Sequence, residues 1–123
     1  MNTNKENNLK EKLKQALAST ERVISDDFIN KEKKENNKIS KEFNFNLENI
    51  NTKSDFIKAR ADSDSSALKK KFSNDEIYRQ NLPSNSSCKS LYAIAERIRY
   101  ECLGSQMLKG IKKNLKENYN QLI

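Results

Sequence analysis

The chain has 123 residues, with 24 Lys and Arg against 17 Asp and Glu, a formal net charge of +7 and no histidine. Only 34% of its residues are hydrophobic and the mean hydropathy is -1.00, which allows one thin-cored domain and excludes a membrane-spanning run of about 20 apolar residues. A single Pro and two Gly exclude collagenous, linker-type and turn-rich all-β chains.

The N-terminal MNTNKENNLK has no apolar core of a secretion signal, and the chain is expected to be cytoplasmic with free thiols. Thr3 followed by Glu6 reads as a capping box, each side chain serving a backbone donor of the first turn. Leu9, Leu13, Ala16, Leu17 and Ile24 then recur near the helical period, which predicts a helix over 4–24.

The pattern changes over the next segment. Phe43, Phe45 and Leu47 alternate with Asn44, Asn46 and Glu48, and Phe28-Ile29 forms a weaker partner. This predicts a two-stranded β ribbon within 27–48 covered by the first helix, with a polar disordered insert as the alternative. Residues 1–50 thus form a helix plus ribbon or loose segment, and 51–123 a helical domain. The expected fold class is mainly α.

Ser54 is placed to cap the next helix, with Asp55 at the positive end of its dipole. Phe56, Ile57, Arg60, Asp64, Ala67, Leu68 and Phe72 share a helical side, but the run Asp62 to Ser66 is poor in helix formers and favours a break. Either two short helices or one long irregular helix fits. Asp62 approaches an Asp-x-Ser-x-Ser metal motif, yet Asp64 stands where that motif needs Ser, so a polar helix face is expected instead. Ser73-Asn74-Asp75-Glu76 repeats the capping pattern and restarts a helix that ends before Leu82-Pro83, and Ser84 to Ser87 form a loop.

Ser90 to Leu115 is the most apolar stretch. Leu91, Ala95, Ile98 and Cys102, widened by Ile94 and Leu103, make one stripe, and Leu108, Ile111, Leu115, Tyr119 and Leu122 make another. They predict two core helices meeting near Gly104, or one helix bent there, with Cys102 as a small core residue. Gly104 suits a left-handed cap or a close helix contact. Gly110, unfavourable inside a helix, suggests that another backbone comes near. Glu96 with Arg99 and Arg97 with Glu101 read as surface ion pairs. Cys88 and Cys102 are too few for a zinc site without histidine. Neither a phosphate-cradling Gly-rich loop nor a catalytic constellation emerges.

The segment Glu96-Arg97-Ile98-Arg99-Tyr100-Glu101-Cys102-Leu103-Gly104-Ser105, continuing through Met107-Leu108-Lys109-Gly110-Ile111 to Asn114-Leu115, resembles the N-terminal region of the CobT-type subunit of aerobic cobaltochelatase. That family runs approximately Glu-x-x-Arg-x-Glu-x-x-Gly, then Gly-(Val/Ile)-x-x-Asn-Leu. A second block is similar to its Arg-Gly-x-x-Asp-x-x-Ala-Leu-Arg, as Arg60-Ala61, Asp64, Ala67-Leu68 and Lys69, with Ala61 for the Gly and Lys69 for the last Arg.

The resemblance implies a non-catalytic assembly module in ATP-dependent cobalt insertion into hydrogenobyrinic acid a,c-diamide. Its implied partners are a AAA+ ATPase subunit and a large chelatase subunit. The family complex uses ATP, magnesium and cobalt, and this chain is expected to bind none of them itself. Family members continue into an acidic linker and a von Willebrand A domain; with Ile123 as the last residue, a shortened, split or degraded member, or an excised domain, is expected. Arg60, Asp64, Arg97, Arg99 and Glu101 are the expected partner-binding residues. The alternative is a small basic nucleic-acid-binding protein, although acids and bases are interspersed along most of the chain.

Overall fold

A computed structural model describes residues 2–25 and 49–123. It contains α1 (Asn2–Ser25), α2 (Lys53–Phe72), α3 (Asp75–Gln80), α4 (Ser86–Met107) and α5 (Lys109–Leu122). The expected ribbon over 27–48 lies outside the described residues, and among those described there is no strand.

Capping chemistry sets most of the boundaries. Thr52, not Ser54, begins α2: its hydroxyl accepts from the Asp55 backbone N–H at 3.2 Å, and the Asp55 carboxylate accepts from the Thr52 N–H at 2.9 Å. Asn74 caps α3 by accepting from the N–H groups of Glu76 and Ile77, and Asn85 caps α4 through Ser87 and Cys88. α1 starts at Asn2, so Thr3 lies inside its first turn rather than ahead of it.

α2 is the spine of the fold, packing against α1, α4 and α5. The break expected at Asp62 to Ser66 does not occur. Ser63, Asp64 and Ser65 are all buried, and tertiary contacts outweigh their weak helix propensity. Their small size also brings the neighbouring helices close, while Ala61, Ala67 and Leu68 are wholly buried among them. The core joins these three residues to Ile24 of α1, Tyr100 of α4, and Ile111 and Leu115 of α5, with Phe72 packed against the edge.

α4 faces the core with the side opposite to the one its leucines and isoleucines suggest. Tyr100, Glu101 and Gly104 are buried, whereas Leu91, Ile94 and Ile98 are 67, 56 and 54% exposed. Cys102 is exposed as well, and is therefore not a core residue. Hydropathy identifies the stripe as apolar, but it cannot show that the neighbours pack instead on the side of Tyr100, Glu101 and Gly104.

Gly104 does not end the helix, which runs on to Met107. It serves instead as a close contact: a Cβ there would stand 2.3 and 2.4 Å from the two methyl carbons of Leu68 and 2.9 Å from its Cγ. The joint lies at Leu108, which adopts φ -131 and ψ 117 and is both the last cap of α4 and the first of α5. A Cβ added at Gly110 would meet nothing within 4 Å among the described residues, so none of their backbone approaches it. None of the described helices is long and apolar enough to cross a membrane.

Candidate functional site

The two sequence blocks that carry the family resemblance meet where α2, α4 and α5 converge. Glu101 reaches inward from α4 and is only 5% exposed, so it is not the surface partner its spacing suggested. One carboxylate oxygen accepts from Ser65 Oγ at 2.6 Å and from Arg97 Nε at 2.8 Å. The other accepts from Tyr119 Oη at 2.6 Å. A buried carboxylate is tolerable only with such a set of donors, and breaking it strands a charge. Burial first, and the bond to Glu101 second, push the Tyr119 phenol above its usual range. The bond to Glu101 raises the Arg97 guanidinium above its ordinary value, against the opposing effect of burial.

Asp64, one turn of α2 before Leu68, is also buried. Its Oδ2 accepts from Asn114 Nδ2 of α5 at 2.8 Å. Burial raises its pKa, and the Asn114 bond and the nearby Arg60 charge oppose the rise. Asn114 and Leu115 of the family-like block therefore act at once, one bonding Asp64 and the other filling the core. Ser63 Oγ, close by in sequence, is buried with no hydrogen-bond partner.

Glu96 and Arg99 form a third unit at the edge of α4. Arg99 donates to Glu96 Oε1 at 2.7 Å and Oε2 at 2.8 Å, and to the Phe72 carbonyl at 2.7 Å. Ser73 Oγ donates to the same carboxylate. The Arg99 bonds are the main reason the Glu96 carboxyl is held down at about 2. This unit ties the end of α2, at Phe72 and Ser73, to α4.

The five expected partner-binding residues thus fall into two kinds. Asp64 and Glu101 are interior. Arg97 and Arg99 are bonded within the domain but keep 44 and 47% of their side-chain surface exposed. Arg60 is exposed, with its guanidinium 5.7 Å from the centre of the Phe56 ring. It lines a cleft between α2 and α5 together with Lys53, Phe56, Ile57, Asn114 and Glu117.

The interior groups are engaged with one another, which suits fixing helix positions more than moving protons. No group of three or more metal-ligating side chains occurs among the described residues. Ser65 and Tyr119 are members of the Glu101 network; Tyr119 had read only as part of an apolar stripe, and neither was marked as a partner of Glu101, which is distant from both in the chain. The only available hint was the poor helix propensity of Ser65, which made sense only if something else held it.

A family model described as cobalamin biosynthesis protein CobT matches residues 7–123. No curated protein and no solved structure matches the chain.

Proposed function

The chain belongs to the CobT family of cobalamin biosynthesis proteins, and from that premise we propose that it is a non-catalytic assembly module for ATP-dependent cobalt insertion into hydrogenobyrinic acid a,c-diamide. Its partners in this reading are a AAA+ ATPase subunit and a large chelatase subunit, in the cytoplasm. ATP and magnesium belong to the ATPase subunit, and cobalt is the substrate being delivered.

One observation carries the reading. The family-like carboxylates Asp64, Glu96 and Glu101 are each bonded inside the domain, so the motifs build a rigid platform rather than a reactive centre. What the platform offers outward is Arg60 beside its cleft and the free sides of Arg97 and Arg99. Guanidinium groups of this kind recognise carboxylates on a protein surface.

The test is binding of the purified chain to each of the two subunits, with and without ATP. Binding that weakens about tenfold or more in Arg60→Ala, with the helical fold intact, supports the proposal; absence of binding to both subunits under all conditions refutes it. The second reading, nucleic-acid binding, draws on the exposed Lys109, Lys112, Lys113 and Lys116 along α5. It requires an affinity for DNA or RNA that falls steeply with salt, and no binding at low salt removes it.

A further inference from the structure

The core uses one side of α4, through Tyr100, Glu101 and Gly104. At 100° per residue, Leu91, Ala95, Ile98 and Cys102 lie on the opposite side. Extended by a step at each end, this side reads Cys88, Leu91, Ala95, Ile98, Cys102, Ser105. The alternating spacing of three and four is that of a coiled-coil seam. Leu91 and Ile98 are 67 and 54% exposed, both cysteines are exposed, and no charged residue interrupts the series. A contiguous apolar stripe left exposed on a helix ordinarily marks an interaction surface.

We infer that this seam is the interface between two copies of the chain, joined antiparallel through α4. The occupant follows from the order of sizes along the seam. Small residues (Cys88, Ala95, Cys102) alternate with large ones (Leu91, Ile98). In a parallel pair, like layers meet: Ala95 would face Ala95 across a void, and Ile98 would crowd Ile98. In an antiparallel pair with the two-fold axis between Ala95 and Ile98, every central layer joins small to large. Ala95 meets Ile98 of the second copy, and Leu91 meets Cys102. The same surface thus complements itself, as an isologous two-fold interface requires.

Charge placement agrees with this register. Tyr92, beside the seam, comes next to Arg99 of the second copy, and a guanidinium over a tyrosine ring is attractive. Arg99 is already held in place by Glu96 and the Phe72 carbonyl, so little order is lost when it docks. No two like charges are brought together along the seam. An exposed stripe of this kind offers several hundred Å² per copy. The interface therefore totals on the order of 1,000 Å², the lower end for a specific association, and the dimer is weak and reversible.

The test is sedimentation equilibrium of the whole chain, kept reduced, over protein concentrations from about 1 to 500 μM, a span chosen for micromolar dissociation. The mass should rise from the 14.3 kDa of one chain toward twice that value. Ile98→Arg should stay monomeric throughout with an unchanged helical spectrum. If that variant loses helix, Ala95→Leu decides instead, since it fills a small layer at a position exposed in the single chain. Orientation is read with Leu91→Cys in a Cys88→Ser background under mild oxidation by diamide. A disulfide between Cys102 and the new thiol of the second copy supports the register. A link joining the two position-91 thiols overturns it, as does a dimer that survives both substitutions or a wild-type chain that is monomeric across the whole range. None of these measurements involves another protein, so their outcome is independent of the subunit-binding test.

Discussion

Gly104→Ala should destabilise the domain, against the usual direction of a Gly-to-Ala change within a helix. Propensity alone favours alanine by about 1 kcal/mol. The added carbon, however, would stand 2.3 and 2.4 Å from both Leu68 methyls and 2.9 Å from the branching Cγ. Leu68 is fully buried, so rotating one methyl away does not clear the clash; the side chain or the helix must move. Forcing a methyl into a filled core costs about 1–3 kcal/mol, and contact with all three outer carbons argues for the upper end. The net loss is then about 1–2 kcal/mol, or a fall in Tm of about 3–8 °C for a chain of this size. Urea and thermal melts followed by circular dichroism measure it.

A double-mutant cycle isolates the cause. Leu68→Ala alone opens a cavity and should cost about 2–5 kcal/mol, but it also frees the space the new methyl needs. The double variant should therefore be more stable than the sum of the two single losses predicts, with a coupling of about 1 kcal/mol or more. Gly110→Ala is the control. With nothing within 4 Å of its added methyl, it should stabilise by up to about 1 kcal/mol. A Gly104→Ala protein as stable as the wild type, or a strictly additive cycle, would refute the close-contact argument.

Ser63→Ala should raise stability by about 1 kcal/mol, because it removes a buried hydroxyl that has no partner; a loss in the urea midpoint would mean that Ser63 is bonded after all. Thr52→Ala should lower stability by about 1 kcal/mol through loss of the α2 capping box, and amide exchange in the first turn of α2 should quicken with it. Glu96 supplies a pH dependence. Its folded pKa of about 2 lies below the ordinary 4.5, so its contribution is fully present above about pH 4.5 and is lost as pH falls toward about 2. Glu96→Gln should accordingly be less stable than the wild type at pH 7, with the difference shrinking by pH 3; an equal difference at both pH values would rule out the ion pair as its source.

Helix positions were largely legible because they depend on neighbours in sequence. The Asp55 carboxylate and the Leu82-Pro83 stop act within four residues of themselves, and α2 and α3 lie within two residues of where such signals put them, although Thr52 and Asn74 rather than Ser54 and Ser73 hold the caps. The inside and outside of α4 were not legible. That choice was made by Leu68 filling the space at Gly104 and by Ser65 and Tyr119 reaching Glu101, and none of these contacts is local. The same holds for Asp62 to Ser66, where a run that reads as a helix breaker is held helical by three surrounding helices. The residues of the family-like blocks could be picked out without structure, but their burial could not. Acidic and basic residues at helical spacing look alike whether they face water or one another's helices.

The one-residue joint at Leu108 limits how the length of this protein can change. Its N–H bonds back to the Gly104 carbonyl at 2.9 Å and its own carbonyl accepts from the Lys112 N–H at 3.2 Å, so both neighbouring helices claim the same residue. Inserting or deleting one residue within α5 just beyond it would turn the rest of that helix by about 100°. Ile111, Leu115 and Asn118, all buried, would swing off α2 together, and Asn114 would leave Asp64. Between α3 and α4, by contrast, Ser84 and Asn85 are exposed, and extra residues in a loop of this kind cost little. Length variants of this chain should therefore accumulate before α4 and be rejected after it.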